Sequence, residues 1–513
     1  MSRQLFKSTA VVSSMTLISR ILGFVRDMLI ARIFGVDLAT DAFFVVFKIP
    51  NFLRRLFSEG AFAHAFVPIL ADYKSQEDQK CLKLFVDKTM GSLAFILLLI
   101  TLLGIVVAPL SIMIIAPGFD WQGTQYDLAV LMFKITFPYL FFIGLVAFSG
   151  GILNAHDKFA IPALTPVFLN VTMIVAAIWI APLMDEPIIA LAWSVFAAGV
   201  IQLLFQLPFL IRLGLLPRFR WGFNDPQVKK MLSLMGPAIF SVSITQINLL
   251  IDTLIASFLT VGSVSWLYYS DRLVEFPVGI LGLALGTVIL PRLAKDYAVQ
   301  DNKAFSQSLD WGLRLVLLIG TPATIGLFLL AEPMLSTLFQ YREFGWSDVY
   351  ASSLSLKAYS LGLLGYILIK ILVPGFTARQ DVKTPVRYGI YAMVFSLVLD
   401  VLLVFPLAHA GLALATSLTA FFNAALLLKK LLQKNIYQPI KGWKMFFIRV
   451  FLASVAMSSV LYYWVDVRLW NDWSSMDRLI NLFKWIVIGF FVYGGALVLL
   501  GGRWQHVSVN IKD

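Results

Sequence analysis

Apolar stretches long enough to cross a bilayer recur along this chain, and several of them carry charged residues inside. The stretches around Leu93–Leu110, Leu164–Ala181, Tyr391–Phe405 and Trp485–Leu500 are examples. A hydrocarbon core takes roughly 18–20 apolar residues of helix to cross. Within lipid such runs satisfy their own backbone groups as α-helices. The composition agrees: of 513 residues, 59% are hydrophobic and only 14% charged, against about 25% charged in a soluble domain. No long polar stretch is present to build a soluble domain.

Marking the apolar runs and their breaks predicts an all-α polytopic membrane protein of about fourteen helices. The spans are 10–34, 40–70, 88–116, 128–153, 160–181, 187–212, 230–259, 263–293, 307–331, 350–376, 384–405, 408–432, 444–465 and 480–502. The loops alternate in charge. One set holds Lys74, Lys80, Lys83 and Lys88, then Lys158, then Arg212, Arg218, Arg220, Lys229 and Lys230. That side continues with Arg292, Lys295 and Lys303, then Arg379, Lys383 and Arg387, then Lys429, Lys430, Lys434, Lys441 and Lys444. The other set is acidic or neutral, with Asp120, Asp127, Asp185, Glu186, the Gly262 turn, Asp466, Asp472 and Asp477, against few basic residues, Arg342, Arg468 and Arg478. The positive-inside rule puts the basic set, and both termini, in the cytoplasm. The formal net charge of +12 is then a topology signal rather than a nucleic-acid footprint. A single cysteine, Cys81, forms no internal disulfide. Arg20 and Arg26 in the first apolar run, without a small-residue cleavage site, mark it as a retained helix rather than a signal peptide.

A weak repeat runs through the chain. Gly35 to Pro50 spans the same interval as Gly262 to Pro277, and Asp157 with Pro162 falls in the same kind of loop as Asp381 with Pro385. The offset is about 225 residues, close to six helices, so the halves share orientation. The expected organisation is an N-terminal lobe over 1–220, a C-terminal lobe over 221–435 and an extra helix pair over 436–513.

An ionised side chain at the bilayer centre costs at least about 2.5–3.5 kcal/mol, so intramembrane charges face a protein interior or a wet cavity. The first helix carries Arg20, Arg26, Asp27 and Arg32, and the second Asp41, Lys48, Arg54, Arg55 and Glu59 around Pro50. The eighth carries Asp271, Arg272 and Glu275 just before Pro277. Arg32 and Arg55 are also placed to snorkel to an interface, and Arg26–Asp27 to form a structural ion pair. The guanidinium fork binds phosphate bidentately, so Arg20, Arg26, Arg54 and Arg272 suit a diphosphate. Pro50, Pro138, Pro277 and Pro374 mark helix bends. Asp252, Ser396, Asp400 and Thr416 offer oxygens at mid-membrane depth for Na⁺ or a proton, or simply for one another. The four histidines show no metal-ligand spacing and there is no P-loop, so neither metal catalysis nor ATP hydrolysis is expected. No cofactor is implied.

The motifs Ser19-Arg20-Ile21-Leu22-Gly23-Phe24-Val25-Arg26-Asp27 and Ala39-Thr40-Asp41-Ala42-Phe43 strongly resemble the MurJ (MviN) family. So do Pro50-Asn51-Phe52-Leu53-Arg54-Arg55-Leu56-Phe57 and Tyr269-Ser270-Asp271-Arg272-Leu273-Val274-Glu275-Phe276-Pro277, and Pro374-Gly375-Phe376 leading into Asp381-Val382-Lys383-Thr384-Pro385. The resemblance covers essentially the whole chain. It implies an inner-membrane flippase for lipid II, the undecaprenyl-diphosphate-linked peptidoglycan precursor, with a multidrug/oligosaccharidyl-lipid/polysaccharide (MOP) exporter fold. It further implies alternating access through a central cationic cavity, a lipid-tail groove on the last two helices, and no covalent chemistry. Arg20, Arg26, Arg54 and Arg272 carry over as headgroup contacts, and Asp41 and Glu275 as gating partners. Coupling to Na⁺ or to membrane potential stays open, as do contacts with other cell-wall synthesis proteins. Other readings are an exporter of another polyprenyl-linked glycan or of a cationic drug, a glycosyltransferase using Asp41 as base, and a scaffold. The arginines argue against a drug cavity, and the short loops against the enzyme.

Overall fold

A computed structural model describes residues 3–58, 66, 68–70 and 79–502, with side chains left undescribed at 3–10, 57–58, 236–247, 283–284 and 287. Glu59 and His64 therefore lie outside the described residues. Every regular element among the described residues is helical. Nine helical segments there are long and apolar enough to cross a membrane.

The chain divides into two compact units, Met1–Val264 and Ser265–Asp513. The first holds α1 (Arg3–Phe34), α2 (Leu38–Ser58), α3 (Gln79–Val106), α4 (Ala108–Ile115), α5 (Thr124–Thr136), α6 (Tyr139–Ala155), α7 (Ala160–Val175), α8 (Ile189–Arg212) and α9 (Pro226–Ala256). The helix α10 (Ser263–Ala298) starts at the division. The second unit continues with α11 (Asn302–Leu329), α12 (Ala331–Phe339), α13 (Trp346–Thr377), α14 (Lys383–Gln433), α15 (Trp443–Trp464), α16 (Leu469–Asp472) and α17 (Ser475–Leu499).

Several breaks follow from single residues. Pro138 separates α5 from α6, where the ring removes a backbone donor and crowds the preceding turn. Pro109, near the start of α4, likewise follows the break after Val106 that divides the single run 88–116 expected there. The two runs expected at 384–405 and 408–432 are the two helical arms of α14, which meet in a turn at Ala408, whose φ of 48° and ψ of −130° leave the helical region. At that turn a Cβ on Gly411 would stand 2.2 Å from the Leu403 carbonyl oxygen, so only glycine admits the close return of the chain. Phe395 stacks on Phe422 with 4.3 Å between ring centroids, which shows that the two arms of α14 run antiparallel.

Gly35 and Gly262 open α2 and α10 with φ of 64° and 97°, a conformation that side chains with a Cβ rarely adopt. The α6–α7 and α13–α14 turns also share one backbone form. Lys158 N–H donates to the Leu153 carbonyl at 2.9 Å, and Asp381 N–H to the Phe376 carbonyl at 3.1 Å, each closing a six-residue helix end. These turns lie in the loops that the sequence pairs, with Lys158 rather than Asp157 matching Asp381.

In the first unit α1 packs on α7, α6 on α8, and α2 on α5 and α6. Its apolar core includes Phe66, stacked on Phe85 at 5.9 Å and tilted against Phe148 at 5.0 Å. In the second unit α13 packs on α14 and α11, and α15 on α17 and α11. Lipid-soluble helices gain little from apolar burial against one another, so close approach through small residues matters more. Gly362 shows it: a Cβ there would lie 2.5 Å from Ser417 Oγ and 2.7 Å from Ser417 Cα.

Candidate functional site

In the first unit, Asp37 opens α2 by accepting from the Thr40 N–H at 2.7 Å. That cap places Asp41 in the first turn, only 3% exposed, where the helix N-terminus favours a carboxylate. Asp41 Oδ2 accepts from the Gly262 N–H at 2.7 Å, and so ties the start of α2 to the α9–α10 turn. One helical stretch further along α2, Lys48 donates to Thr253 Oγ1 at 2.6 Å, beside buried Asp252 on α9. Arg54, past Pro50, is half-buried and lies within electrostatic reach of the buried Tyr139 phenol.

Arg26 is 4% exposed and its neighbour Asp27 1%. The guanidinium donates through Nε and Nη2 to Asp27 Oδ1 at 2.9 and 2.7 Å. Its Nη1 donates to Asn170 Oδ1 on α7 at 2.9 Å, and the Phe47 ring lies 5.4 Å from its centre. Asn170 in turn donates to the Ser19 carbonyl at 2.9 Å, one residue before Arg20. The amide therefore clamps both ends of one stretch of α1, packed beside Gly23, where a Cβ would sit 3.6 Å from Asn170 in ordinary contact. Arg20, unlike Arg26, is exposed and has no hydrogen-bond partner among the described residues.

In the second unit, Arg272 donates to Glu275 Oε2 at 2.8 Å, one turn along α10, and to the Tyr268 hydroxyl at 3.2 Å. Its guanidinium also lies 5.0 Å from the Tyr268 ring. Both charges stay accessible, at 26% and 39% exposure, so the pair holds the fork in place without sealing it off. On α14, Asp400 is 1% exposed, with Oδ1 unpartnered among the described residues, and the Ser396 hydroxyl faces it from one turn before. Thr416 Oγ1 donates back to the Leu412 carbonyl at 3.0 Å. Asp400 and Thr416 stand equally far from the Ala408 turn, so the antiparallel arms bring them to the same level.

The residues singled out in the sequence thus fall into local sets: Arg26 with Asp27, Asp41 with the Gly262 turn, Arg272 with Glu275, and Ser396 with Asp400. Asn170, Lys48 and Thr253 join these sets although the sequence reading gave Lys48 only a general place and the other two none. An isolated amide in the apolar α7 is the signal that could have pointed to Asn170. Among the described residues no group of three or more His, Cys, Asp or Glu side chains is placed to hold a metal ion.

Chemically, these sets offer accessible guanidinium donors for an anion, and carboxylates that fix guanidinium and backbone positions. The comparisons fit that chemistry. The family model described as "Lipid II flippase MurJ" matches residues 30–484. A probable lipid II flippase MurJ of Vibrio cholerae is 46% identical, across 99% of this chain and 98% of that protein. The lipid II flippase MurJ of Burkholderia cenocepacia is 41% identical, across 99% and 100%. Among solved structures, a lipid II flippase MurJ in an inward closed conformation matches with a TM-score of 0.81 at 26% identity, across 97% of this chain and 99% of that one. An inward-facing MATE family multidrug resistance transporter of the MOP superfamily matches with a TM-score of 0.69 at 12% identity, across 83% and 98%, which shows a shared fold. The chain therefore belongs to the lipid II flippase MurJ family, integral membrane transporters rather than enzymes.

Proposed function

We propose that this chain moves lipid II from the cytoplasmic to the periplasmic leaflet of the bacterial inner membrane. The observation that carries the reading is the match to flippases over nearly the full length of both chains, at 46% and 41% identity. In this reading fourteen helices span the membrane with both termini in the cytoplasm. Lobes 1–220 and 221–435 alternate access through a central cationic cavity, and the pair 436–513 offers a groove for the lipid tail.

Arg20, Arg26, Arg54 and Arg272 are assigned to the diphosphate and headgroup, Arg26 by way of Arg20, because a planar fork matches phosphate oxygens. The local geometry divides the labour. Arg20 and Arg272 are accessible and meet the headgroup directly, whereas buried Arg26 sets the shape of α1 that presents Arg20. Asp41, on the Gly262 N–H, and Glu275, on Arg272, act as conformational partners that hold one state and release it. Asp252, Ser396, Asp400 and Thr416 are the candidates for ion coupling; Na⁺ binding and drive by membrane potential alone are separate readings of them. A polyprenyl diphosphate carrying another glycan is the alternative substrate, since the arginines read the diphosphate and not the sugars.

The test is reconstitution. Proteoliposomes loaded with lipid II on one leaflet should expose it on the other faster with this chain than without it, and a different polyprenyl-diphosphate glycan should compete. Equal rates with and without the protein would sink the proposal.

A further inference from the structure

Away from the Arg272–Glu275 pair, the second unit has a cavity of about 370 Å³ lined by Tyr297, Phe376, Arg379, Asp381, Lys434 and Ile436. That volume is within the range of small-ligand pockets, roughly 300–1,000 Å³. It lies where the ends of α10 and α13 and both ends of α14 come together. These are ends that the charge pattern of the loops marks as cytoplasmic. Tyr297 and Arg272 are both on α10, 25 residues apart, so about 37 Å of helix separates the cavity from the Arg272–Glu275 pair.

We infer that this cavity is a binding site for a phosphate-bearing anion, such as the headgroup of an anionic phospholipid, with Arg379 as its principal donor. The centre of the Arg379 guanidinium lies over two aromatic rings, Tyr297 at 5.2 Å and Phe305 at 5.7 Å. Cation–π contacts of this kind hold the guanidinium by its charge and consume none of its five N–H donors. No side-chain hydrogen bond or ion pair uses them among the described residues. A planar fork held over two rings, with its N–H donors unspent and lining a cavity, is suited to bidentate phosphate.

The other charges in the cavity support that polarity. Asp381 is fully engaged elsewhere: it accepts from Thr384 N and Oγ1 at 3.0 and 2.8 Å, which caps α14, and from Lys434 Nζ at 2.9 Å. Burial pushes the carboxyl up, but the Lys434 and Thr384 hydrogen bonds outweigh it and bring the pKa down to about 2, so the group stays ionised and does not turn into a donor. Its role is to hold Lys434 beside Arg379. Phe376 and Ile436 are buried apolar wall, and half-open Tyr297 forms the rim. Polar fork and apolar wall together suit a headgroup whose acyl chains stay in the bilayer. The cytoplasmic leaflet, where the loop charges put this cavity, is rich in anionic lipid.

The experiment uses the full chain in a neutral detergent, titrated with short-chain phosphatidylglycerol, inorganic phosphate and short-chain phosphatidylcholine. The thermal midpoint is followed, and the protein's apparent affinity for each is read from it. Phosphatidylglycerol should raise the midpoint saturably and phosphatidylcholine should not. Arg379→Gln should weaken that response about fivefold or more, the effect of one basic residue at an anionic surface. Exposed Lys303→Gln, on the same basic side, should leave it unchanged. Should Arg379→Gln fold poorly, Arg379→Lys keeps the charge and loses the fork, and is expected to weaken binding at least threefold. A response to inorganic phosphate as well would identify the free anion as sufficient; a response to phosphatidylglycerol alone would identify the lipid. No saturable response to either, or one that the Arg379 variants leave intact, overturns the inference. It stands apart from lipid II transport, which these ligands do not assay.

Discussion

The Asp41 carboxylate holds the Gly262 backbone N–H at 2.7 Å, across 221 residues of sequence. It joins the first turn of α2 to a tight turn that only a glycine with φ of 97° forms without strain. A hydrogen bond to a charged group contributes about 1.5–3 kcal/mol. Asp41→Ala should therefore speed amide hydrogen exchange in the 257–264 turn roughly tenfold or more, while Asp41→Asn, which keeps an acceptor oxygen, should change it less. Unaltered exchange in Asp41→Ala would remove the latch from the account.

Arg26 and Arg20 differ in a way that stability measurements can separate. Arg26 is buried on Asp27, and removing one partner of a buried pair leaves an uncompensated charge at a cost of about 3–5 kcal/mol. Arg26→Ala should lower membrane abundance and the thermal midpoint in detergent. Arg20→Ala should leave both near wild type and lose transport only. If both variants were equally stable, Arg26 would have to act on substrate directly.

Gly362 meets Ser417 at a distance that leaves no room for a side chain. Gly362→Ala should destabilise the contact between α13 and α14 by about 1–3 kcal/mol, the usual cost of overpacking. Gly389 has open space around it, so Gly389→Ala should be tolerated. Comparing the two midpoints in detergent checks the assignment.

The Asp381–Lys434 pair sets a pH dependence at the acid end. Asp381 has its pKa lowered to about 2 from 3.8, so its contribution is fully present above the unfolded value and is lost as pH falls through about 2. At 27% and 42% exposure the pair is partly screened by solvent, so the effect is modest. Wild-type protein should lose thermal stability below pH 4 more steeply than Asp381→Asn or Lys434→Gln, and all three should show flat profiles from this group between pH 5 and 8. Parallel acid profiles would contradict the assignment.

Much of the local design was legible in the sequence, because it rests on residue types that are costly to place without reason. Arginines in apolar runs, prolines between helix segments and glycines at positive φ each declare a local constraint. Pro138, Gly35 and Gly262 behave as those constraints require. What could not be read was pairing at a distance. Arg26 meets Asn170 across 144 residues, and Lys48 meets Thr253 across 205, and no local pattern encodes either contact. The break between the runs 384–405 and 408–432 placed the reversal beside Ala408, but not its backbone form: alanine is the best helix former and rarely takes a φ of 48°. Arg379 appeared in the sequence only as one loop charge among many, and its value as a donor comes from two rings contributed by other helices.

The most direct measurement is outward exposure of lipid II in bacteria depleted of their own flippase and supplied with this chain. Wild type should restore exposure. Arg272→Ala, inserted at the same abundance, should not, because the accessible fork that Glu275 positions would be gone. Lipid II remaining inward while wild type is present at normal abundance, or full exposure with Arg272→Ala, would contradict the account.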